Sequence, residues 1–408
     1  MRAFAILGVL VLAMLSSGQR SPGASGSEDS LMTKAKRLAQ EFIIIDTHID
    51  VPERMQEKEE DISGRTEGDF DYVKAREGGL KCGFMAIYVP ASYQKTGGAK
   101  AHAERLIAMV NRWTTTWLDK FVLVTSPADV IAQFETGKIS LAMGMENAAG
   151  IEDNLGNLQY FYDEGIRYIT LTHSKDNRIC DSSFDTTKTW KGLSPFGRKV
   201  VAEMNRLGIM VDISHVSDSA FYQVMRITKA PVIASHSSCR YFTPGLERNM
   251  SDEMIKVLAA HRGVIQINFG SFFIDNEYRT GDDNGRKAID DHLKELGLTE
   301  KDSAGREYAR AYRKEHPIKP PDVSDVAAHI DHVVKLVGVD FVGLGSDFDG
   351  VGDNLPTGLK DVSCYPNLIS ELLKNGYTEE DIRKICSGNL LRVWSEVEST
   401  AMKLQRRR

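Results

Sequence analysis

The sequence has no large excess of charge of either sign. Its 408 residues include 51 Lys and Arg and 57 Asp and Glu, which gives a formal net charge of −6. A protein that binds nucleic acid normally carries a clear basic surplus or patch, so we expect no nucleic-acid partner. Because 42% of the residues are hydrophobic, the chain can bury a substantial core.

A hydrophobic run long enough to cross a membrane as a helix, about 20 residues, is also absent. The apolar run from Ala3 to Leu15 is too short, follows one Arg and precedes Ser16, Ser17 and Gly18. This order is typical of a cleaved secretory signal, and an uncleaved interfacial anchor is the alternative. We predict a signal peptide over residues 1–18, export to the periplasm or the medium, and no transmembrane segment in the mature chain.

Cysteine is scarce, and the spacings of the five residues match no zinc ribbon or redox motif. An exported protein can form disulfides, but the odd count leaves at least one cysteine unpaired and the pairing cannot be inferred. The cysteines are Cys82, Cys180, Cys239, Cys364 and Cys386.

Short apolar segments alternate with amphipathic helical segments after a Gly- and Ser-rich stretch, residues 19–30, which we predict to be a flexible leader. The apolar segments are continuous, as in parallel strands that are covered on both faces. There are eight of them, over residues 42–48, 82–89, 139–147, 166–173, 209–215, 231–237, 263–270 and 341–348. Helical segments over residues 101–120, 194–208, 217–228 and 251–263 lie between them.

Eight strand and helix repeats predict an α/β fold, a single (β/α)8 TIM-type barrel over residues 31–408, ahead of an open doubly wound sheet. Several helices open on Ser, Asp or Pro, which favour a first turn. Residues 276–321 are rich in charge and do not fit the repeat. We predict a helical insertion after the seventh strand, which either shapes access to the site or is a solvated addition.

Polar side chains end the predicted strands, where barrels carry their chemistry. They are His48, Asp50, Glu146, His173, His215, His236 and Asp347. Burying so many ionisable groups without a cation would cost several kcal/mol, whereas a pair of divalent metals would bind them. The other histidines are predicted to lie on the surface, namely His102, His261, His292, His316, His329 and His332.

At these positions the sequence resembles the membrane dipeptidase (renal dipeptidase) family, zinc metallopeptidases with a barrel of the amidohydrolase type. The resemblance rests on an ordered set of segments that runs through nearly the whole chain. They are "DTHID" (46–50), "GMENAAGI" (144–151), "LTHSKDNRICDSS" (171–183), "VDISHVSD" (211–218), "ASHSSCR" (234–240), "RN" (248–249) and "GLGSDFDGV" (343–351).

The resemblance implies two Zn²⁺ per chain. His48 and Asp50 would bind one zinc, His215 and His236 the other, and Glu146 would bridge the two. Imidazole and carboxylate ligands suit zinc. Two such ions would also lower the pKa of the water between them and so supply a bridging hydroxide.

The implied activity is hydrolysis of dipeptides, including those with a C-terminal D-residue, by attack of this hydroxide. Asp347 would carry the proton to the leaving amine, with Asp349 as a possible substitute. His173 would stabilise the oxyanion and contact the substrate, and Arg248, with Arg240 as a competitor, would bind the substrate carboxylate.

Other functions stay open. A different binuclear hydrolase, such as a lactonase, deaminase or β-lactam hydrolase, would use the same barrel, although Asp50 in place of a second histidine favours the dipeptidase. A non-catalytic exported metal-binding protein is the third possibility. Lys175 stands where mammalian members have a cysteine, so a Cys82–Cys180 disulfide is possible but not implied. Members of the family are often dimers, which makes a homodimer possible.

Overall fold

The computed structural model describes residues 23–406, with the backbone alone at residues 23–28 and 57. Within residues 23–406, nine parallel strands form one sheet. They are β1 (Ile44–Ile49), β2 (Leu80–Tyr88), β3 (Phe121–Leu123), β4 (Ile139–Glu146), β5 (Ile166–Thr170), β6 (Met210–Asp212), β7 (Ile233–Ala234), β8 (Val264–Ile267) and β9 (Val342–Leu344).

Eight of these strands form a barrel in the order β1-β2-β4-β5-β6-β7-β8-β9. The two ends of this order meet just beyond β9. The Asp50 N–H donates to the Phe348 carbonyl at 2.8 Å, and the Asp347 N–H donates to the His48 carbonyl at 3.1 Å. Ile49 and Phe348 form a parallel bridge at the same place. The predicted TIM-type barrel is therefore confirmed.

The ninth strand, β3, was not predicted. It pairs with the start of β4, Ile139 to Leu141, whereas β5 pairs with Met143 to Glu146 further along the same strand. β3 has only three residues and comes shortly after a long helix. Its apolar run is too short to show a strand period.

Several strands are shorter than predicted. β5 ends at Thr170, β6 at Asp212, β7 at Ala234 and β9 at Leu344. The chain then turns sharply, and residues soon after the ends of β6 and β9 have left-handed backbones, with φ of 66° at His215 and 67° at Asp347. The polar residues His173, His215, His236 and Asp347 thus lie in the first loop residues beyond their strands, whereas His48 and Glu146 lie within β1 and β4.

Helices surround the barrel and fill its connections. They are α1 (Gly23–Glu41), α2 (Val51–Glu57), α3 (Tyr72–Gly78), α4 (Tyr93–Thr96), α5 (Ala99–Thr116), α6 (Pro127–Gln133), α7 (Gly156–Asp163), α8 (Pro195–Leu207), α9 (Asp218–Ile227), α10 (Asp252–Ala260), α11 (Ser271–Ile274), α12 (Asn276–Glu295), α13 (Ser303–Glu315), α14 (Val323–Val337), α15 (Tyr365–Lys374), α16 (Glu379–Arg383) and α17 (Asn389–Gln405).

Serine caps begin three of the predicted helices. The hydroxyls of Ser194, Ser217 and Ser251 accept hydrogen bonds from the backbone N–H three residues on, at the starts of α8, α9 and α10. Such a cap satisfies one of the backbone donors that a first turn leaves without a partner. Local sequence therefore places these helix starts correctly.

The last helix, α17, closes the amino-terminal end of the barrel. Trp394 is fully buried and its ring lies 5.3 Å from that of Phe84 of β2. Asn389 donates to the carbonyls of Val339 and Val342, at the start of β9. With this end closed, the opposite end, where the strands finish, is the open face.

The charged insertion forms two helices, α12 and α13. They share a small apolar cluster of Ile289, Leu293 and Ala309, and the Tyr278 hydroxyl of α12 donates to Asn354 at 2.9 Å.

α1 begins at Gly23 and so includes part of the stretch assigned to a leader. The predicted signal peptide, residues 1–18, lies outside the described residues. Within residues 23–406, no helix is long and apolar enough to cross a membrane.

Candidate metal centre and active site

The polar residues predicted from strand ends meet at the open face of the barrel. They surround a cavity of about 210 Å³, smaller than the roughly 300–1,000 Å³ typical of sites for drug-sized ligands. The lining residues are Asp50, Glu53, Tyr88, Glu146, His173, His215, His236, Asp347, Asp349 and Gly350.

His48, Asp50 and Glu146 form one group around this cavity. The His48 Nε2 lies 3.4 Å from the Asp50 Oδ2 and 3.6 Å from the Glu146 Oε2. This Nε2 is buried and has no hydrogen-bond partner among the described residues. Burial raises the pKa of the Asp50 carboxyl to about 8, and the nearby Glu146 and Asp347 carboxylates add to the rise. A cation between these three side chains would satisfy the orphaned nitrogen and keep Asp50 ionised.

A second group gathers on the other oxygen of Glu146. Its Oε1 lies 3.0 Å from the His215 Nε2, 3.2 Å from the His236 Nε2 and 3.6 Å from the His173 Nε2. The Nε2 atoms of His215 and His236 are 2.8 Å apart. One carboxylate thus faces both groups, with an oxygen toward each.

The protonation states at this second group suit a divalent cation. Burial lowers the pKa of His236 to about 4, helped by the positive charges of His48 and Arg248. Burial lowers the pKa of His215 as well, again with Arg248. Neutral imidazoles beside an ionised carboxylate are the donors that zinc and similar metals prefer. The residues present therefore fit a metal.

Two hydrogen bonds hold the histidine rings from behind. The Nδ1 of His48 lies 2.7 Å from the Tyr168 hydroxyl, and the Nδ1 of His236 lies 2.7 Å from the Ser235 hydroxyl. Ser235 in turn donates to the Asp212 carboxylate at 2.6 Å. Each contact occupies Nδ1 and leaves Nε2 toward the cavity, which fixes the ring orientation that a metal ligand needs.

The sequence did not indicate these partners, nor Asn268, which donates to the Asp347 Oδ2 at 2.8 Å. In the sequence, Tyr168 is indistinguishable from an ordinary strand residue. The one sequence signal near it is Gly144 on the neighbouring strand, where an added Cβ would lie 2.0 Å from the Tyr168 ring. A glycine inside a buried strand indicates a close approach, but the approaching group is known only from the fold.

The carboxylates of Asp46 and Asp349 accept hydrogen bonds from backbone N–H groups beside the cavity. The Asp46 Oδ1 accepts hydrogen bonds from the N–H groups of His48 and Ser346. Asp349 accepts from the N–H groups of Asp69 and Phe70, and its Oδ1 lies 3.2 Å from the Arg54 Nε.

The two candidate arginines differ sharply in position. Arg248 is 3% exposed, and its guanidinium donates to the Ser237 hydroxyl at 2.7 Å and lies 3.2 Å from the His215 Nε2. Arg240 instead forms a bidentate ion pair with Asp218, at 2.6 and 2.7 Å. Arg248 is therefore the arginine beside the metal-ligating candidates.

The sequence profile of one protein family, the membrane dipeptidases (peptidase family M19), matches residues 32–408. The chain belongs to this family. The predicted family and enzyme type, a metallo-dipeptidase of the membrane dipeptidase type, are therefore confirmed. Family membership and the clustered donor groups together imply that the chain binds metal.

Relatives within and outside bacteria support the assignment. The chain is 33% identical over 393 residues to an uncharacterized dipeptidase of Schizosaccharomyces pombe, covering 91% of this chain and 84% of that protein. The probable dipeptidase PvdM of Pseudomonas aeruginosa has a similar structure, with a TM-score of 0.80 and 27% identity over 91% of this chain and 100% of that one. A metallo peptidase from Rhodobacter sphaeroides, liganded with a phosphinate mimic of L-Ala-D-Ala, gives a TM-score of 0.71 and 25% identity, covering 87% and 99%.

Two expectations away from the site are wrong or unsupported. His329 is 0% exposed and His102 is 3% exposed, whereas both were predicted to lie on the surface. Each ring nitrogen of His329 has a backbone partner, which is how a neutral histidine is accommodated in a core. All five cysteines are free, so the structure contains no Cys82–Cys180 disulfide.

Proposed function

We propose that the chain is a zinc dipeptidase with two metal sites that share Glu146. His48 and Asp50 would hold one zinc, and His215 and His236 the other. The observation that carries the proposal is the position of the Glu146 carboxylate, with one oxygen toward His48 and the other toward His215 and His236.

Two zinc ions held here would polarise the scissile carbonyl and activate a water for attack at neutral pH. The chain's own groups would do the rest. Asp347, oriented by Asn268, is placed to accept a proton and to pass it to the leaving amine. Burial lowers the pKa of His173, so that it is neutral at pH 7 and can donate an N–H to the oxyanion.

Arg248 would bind the substrate's C-terminal carboxylate. Its guanidinium is buried beside His215, and its Nε has no hydrogen-bond partner among the described residues. A guanidinium offers the paired donors that a carboxylate accepts. The small cavity is compatible with a short peptide, and the Rhodobacter sphaeroides relative contains a dipeptide mimic with a D-residue at its C-terminus. We therefore infer that dipeptides are the substrates, including those with a C-terminal D-residue.

The test combines zinc counting with assays on L-Ala-L-Ala and L-Ala-D-Ala. We expect two zinc ions per chain and hydrolysis of both dipeptides. Glu146→Gln should lose zinc and activity together. Asp353→Asn, at an exposed position near the cavity loop, is the matched control and should change neither. Fewer than one zinc per fully loaded chain, or no hydrolysis of either dipeptide, would overturn the proposal.

Asp347 needs a separate readout, because its donor atom lies within 4.8 Å of those of His48 and His236, which is near enough to share a metal. Asp347→Asn should keep both zinc ions while kcat falls by about 10²- to 10⁴-fold. Loss of zinc in this variant would instead make Asp347 a ligand.

The remaining proposals concern the whole chain. We infer that residues 1–18 are removed during export and that the mature chain, from residue 19, is one catalytic unit that can form a homodimer. Their support is the order of charged, apolar and small residues at the N-terminus, and for the dimer the family resemblance. N-terminal sequencing of the exported protein and light scattering of the purified one would test them.

A further inference from the structure

Carboxylates dominate the lining of the cavity, and each but one has a role already described. Asp50, Glu146 and Asp347 belong to the metal-capable groups. Asp349 is fixed by two backbone N–H groups and by Arg54. The remaining lining carboxylate is Glu53.

Glu53 lies in the first turn of α2, three residues after Asp50, the N-cap of that helix. Residues three apart on a helix are neighbours, with Cβ atoms about 5–6 Å apart. The Glu53 side chain is partly exposed, and Gln56 donates to its Oε2. Glu53 is therefore a neighbour of Asp50, a metal-ligating candidate, at the α2 side of the cavity.

The positive charge of Arg248 lies beside the second group of donors. Arg248 contacts His215 and the carbonyl of His236, whereas Glu53 belongs to the helix that follows His48 and Asp50. A basic side chain thus lies next to one group of donors, and an acidic side chain follows the other group in the chain. A free dipeptide is a zwitterion with the matching arrangement, a carboxylate at one end and an ammonium at the other.

Peptide geometry sets where the ammonium must lie. In a dipeptide, the amino nitrogen is two bonds from the carbon of the scissile carbonyl, through N–Cα and Cα–C bonds of about 1.46 and 1.52 Å. When that carbonyl is at the metal-ligating groups and the substrate carboxylate is toward Arg248, the ammonium points to the α2 side. Glu53 is the cavity-lining carboxylate on that helix, three residues after Asp50.

We propose that Glu53 binds the free α-ammonium group of the substrate and so makes a free N-terminus a requirement. The proposal deepens the dipeptidase function and rests on it. A hydrogen bond between an ammonium and a carboxylate is charge-assisted. It contributes roughly 1.5–3 kcal/mol, which corresponds to about a 10- to 100-fold change in binding.

The experiment compares L-Ala-L-Ala with N-propanoyl-L-alanine, which has the same skeleton without the ammonium group. The protein is the zinc-loaded full chain and its Glu53→Gln variant, which keeps the side-chain shape and removes the charge. Glu59→Gln is the control, because Glu59 is 65% exposed and pairs with Arg112 on the outer surface.

In Glu53→Gln, kcat/KM for L-Ala-L-Ala should fall by about 10- to 100-fold, mainly through KM. For N-propanoyl-L-alanine it should stay within about twofold of the unsubstituted enzyme. The zinc content and the melting temperature should be unchanged, and Glu59→Gln should behave like the unsubstituted enzyme toward both compounds.

Several results would overturn the inference while leaving the dipeptidase function intact. One is an equal loss toward both compounds, and another is a loss confined to dipeptides with a basic first side chain. Loss of zinc from Glu53→Gln, or an unchanged preference for the free dipeptide, would also do so. Failure of the unsubstituted, zinc-loaded protein to hydrolyse any dipeptide would overturn the proposed function itself.

Discussion

At the scale of single residues, His48 and His236 face the cavity with Nε2 because other groups hold Nδ1. Tyr168 and Ser235 provide these contacts for His48 and His236. His215 differs, since its Nδ1 is buried and has no partner among the described residues. The orientation of His48 and His236 therefore depends on side chains that never reach the cavity.

Tyr168→Phe should weaken zinc binding by about 10- to 100-fold, because it removes the hydroxyl that holds the His48 ring. The phenyl ring would still fill the space beside Gly144, so the fold should persist. Competition with a chromogenic chelator measures the affinity directly. Tyr241→Phe, at a side chain that is 64% exposed, is the control. Equal zinc affinity in Tyr168→Phe and the unsubstituted protein would contradict the role of Tyr168.

At this scale the sequence points to the polar residues at strand ends, which the structure brings together, and gives no signal for the residues behind them. His48, Glu146 and Asp347 follow apolar runs, and a polar residue there is conspicuous. Tyr168 and Asn268 have no such signal, because a tyrosine in a strand or an asparagine in a turn is ordinary. Their importance arises from a contact across the barrel.

At the scale of elements, the ends of the short strands are set by side-chain caps. The Asp212 Oδ1 accepts hydrogen bonds from the N–H groups of Ser214 and Ser235, so one carboxylate binds the backbone beyond β6 and β7 together. Such local bonds compete with a strand ladder. The hydrophobic pattern alone predicts longer strands, because Asp212 can be identified as a cap only when β6 and β7 are known to be adjacent.

Helix α14 is joined to its neighbours by His329. The Nδ1 accepts a hydrogen bond from the Cys239 N–H at 3.0 Å, and the Nε2 lies 3.0 Å from the Ile274 carbonyl. Burial lowers the pKa of His329 to about 4, from an ordinary value of 6.5. The ring must stay neutral to keep both contacts.

This buried histidine predicts a loss of stability in acid. Between about pH 6.5 and pH 4 the unfolded chain binds a proton that the folded chain does not, so stability falls as the pH falls through this window. From pH 7 to pH 5 the loss should be about 2 kcal/mol. In His329→Gln, which offers an acceptor and a donor without a titrating ring, this part of the pH dependence should disappear. Urea denaturation across this range measures it, and equal pH slopes in the two proteins would contradict the prediction.

At the scale of the whole molecule, barrel closure brings residues from opposite ends of the chain to one centre. His48 and Asp347 are near one another because β1 and the end of β9 share hydrogen bonds. Several buried ionisable groups then face each other. A cation is therefore expected to stabilise the folded state as well as to serve catalysis.

Removing metal should accordingly lower the thermal stability of the chain. A ligand that binds only the folded state at a free concentration of 100 times its Kd adds about 2.7 kcal/mol per site. Thermal melts after chelation should show a lower Tm, and added zinc should restore it. Glu146→Gln should respond weakly to zinc, since it lacks the shared ligand. An unchanged Tm on chelation, with zinc shown to be removed, would contradict the prediction.

The role of the charged insertion also depends on where it lies in the whole molecule. Residues 276–321 contribute nothing to the cavity lining, and α12 and α13 pack on one another and reach the loop after β9 through Tyr278. Of the two interpretations of this segment, a solvated addition agrees better with the described contacts.

The sequence by itself determined the repeat of strands and helices, the helix starts and the set of polar residues at the strand ends. These are local features, since period, caps and the alternation of apolar and polar runs act over a few residues. Only the tertiary structure decided that Glu146 faces His48 with one oxygen and three other histidines with the other. It also decided that Asp349 binds backbone N–H groups while Asp347 lies among the metal-ligating candidates, and that Arg240 pairs with Asp218 while Arg248 lies at the centre. Those choices depend on side-chain directions across a closed barrel, where residues 300 or more positions apart form hydrogen bonds.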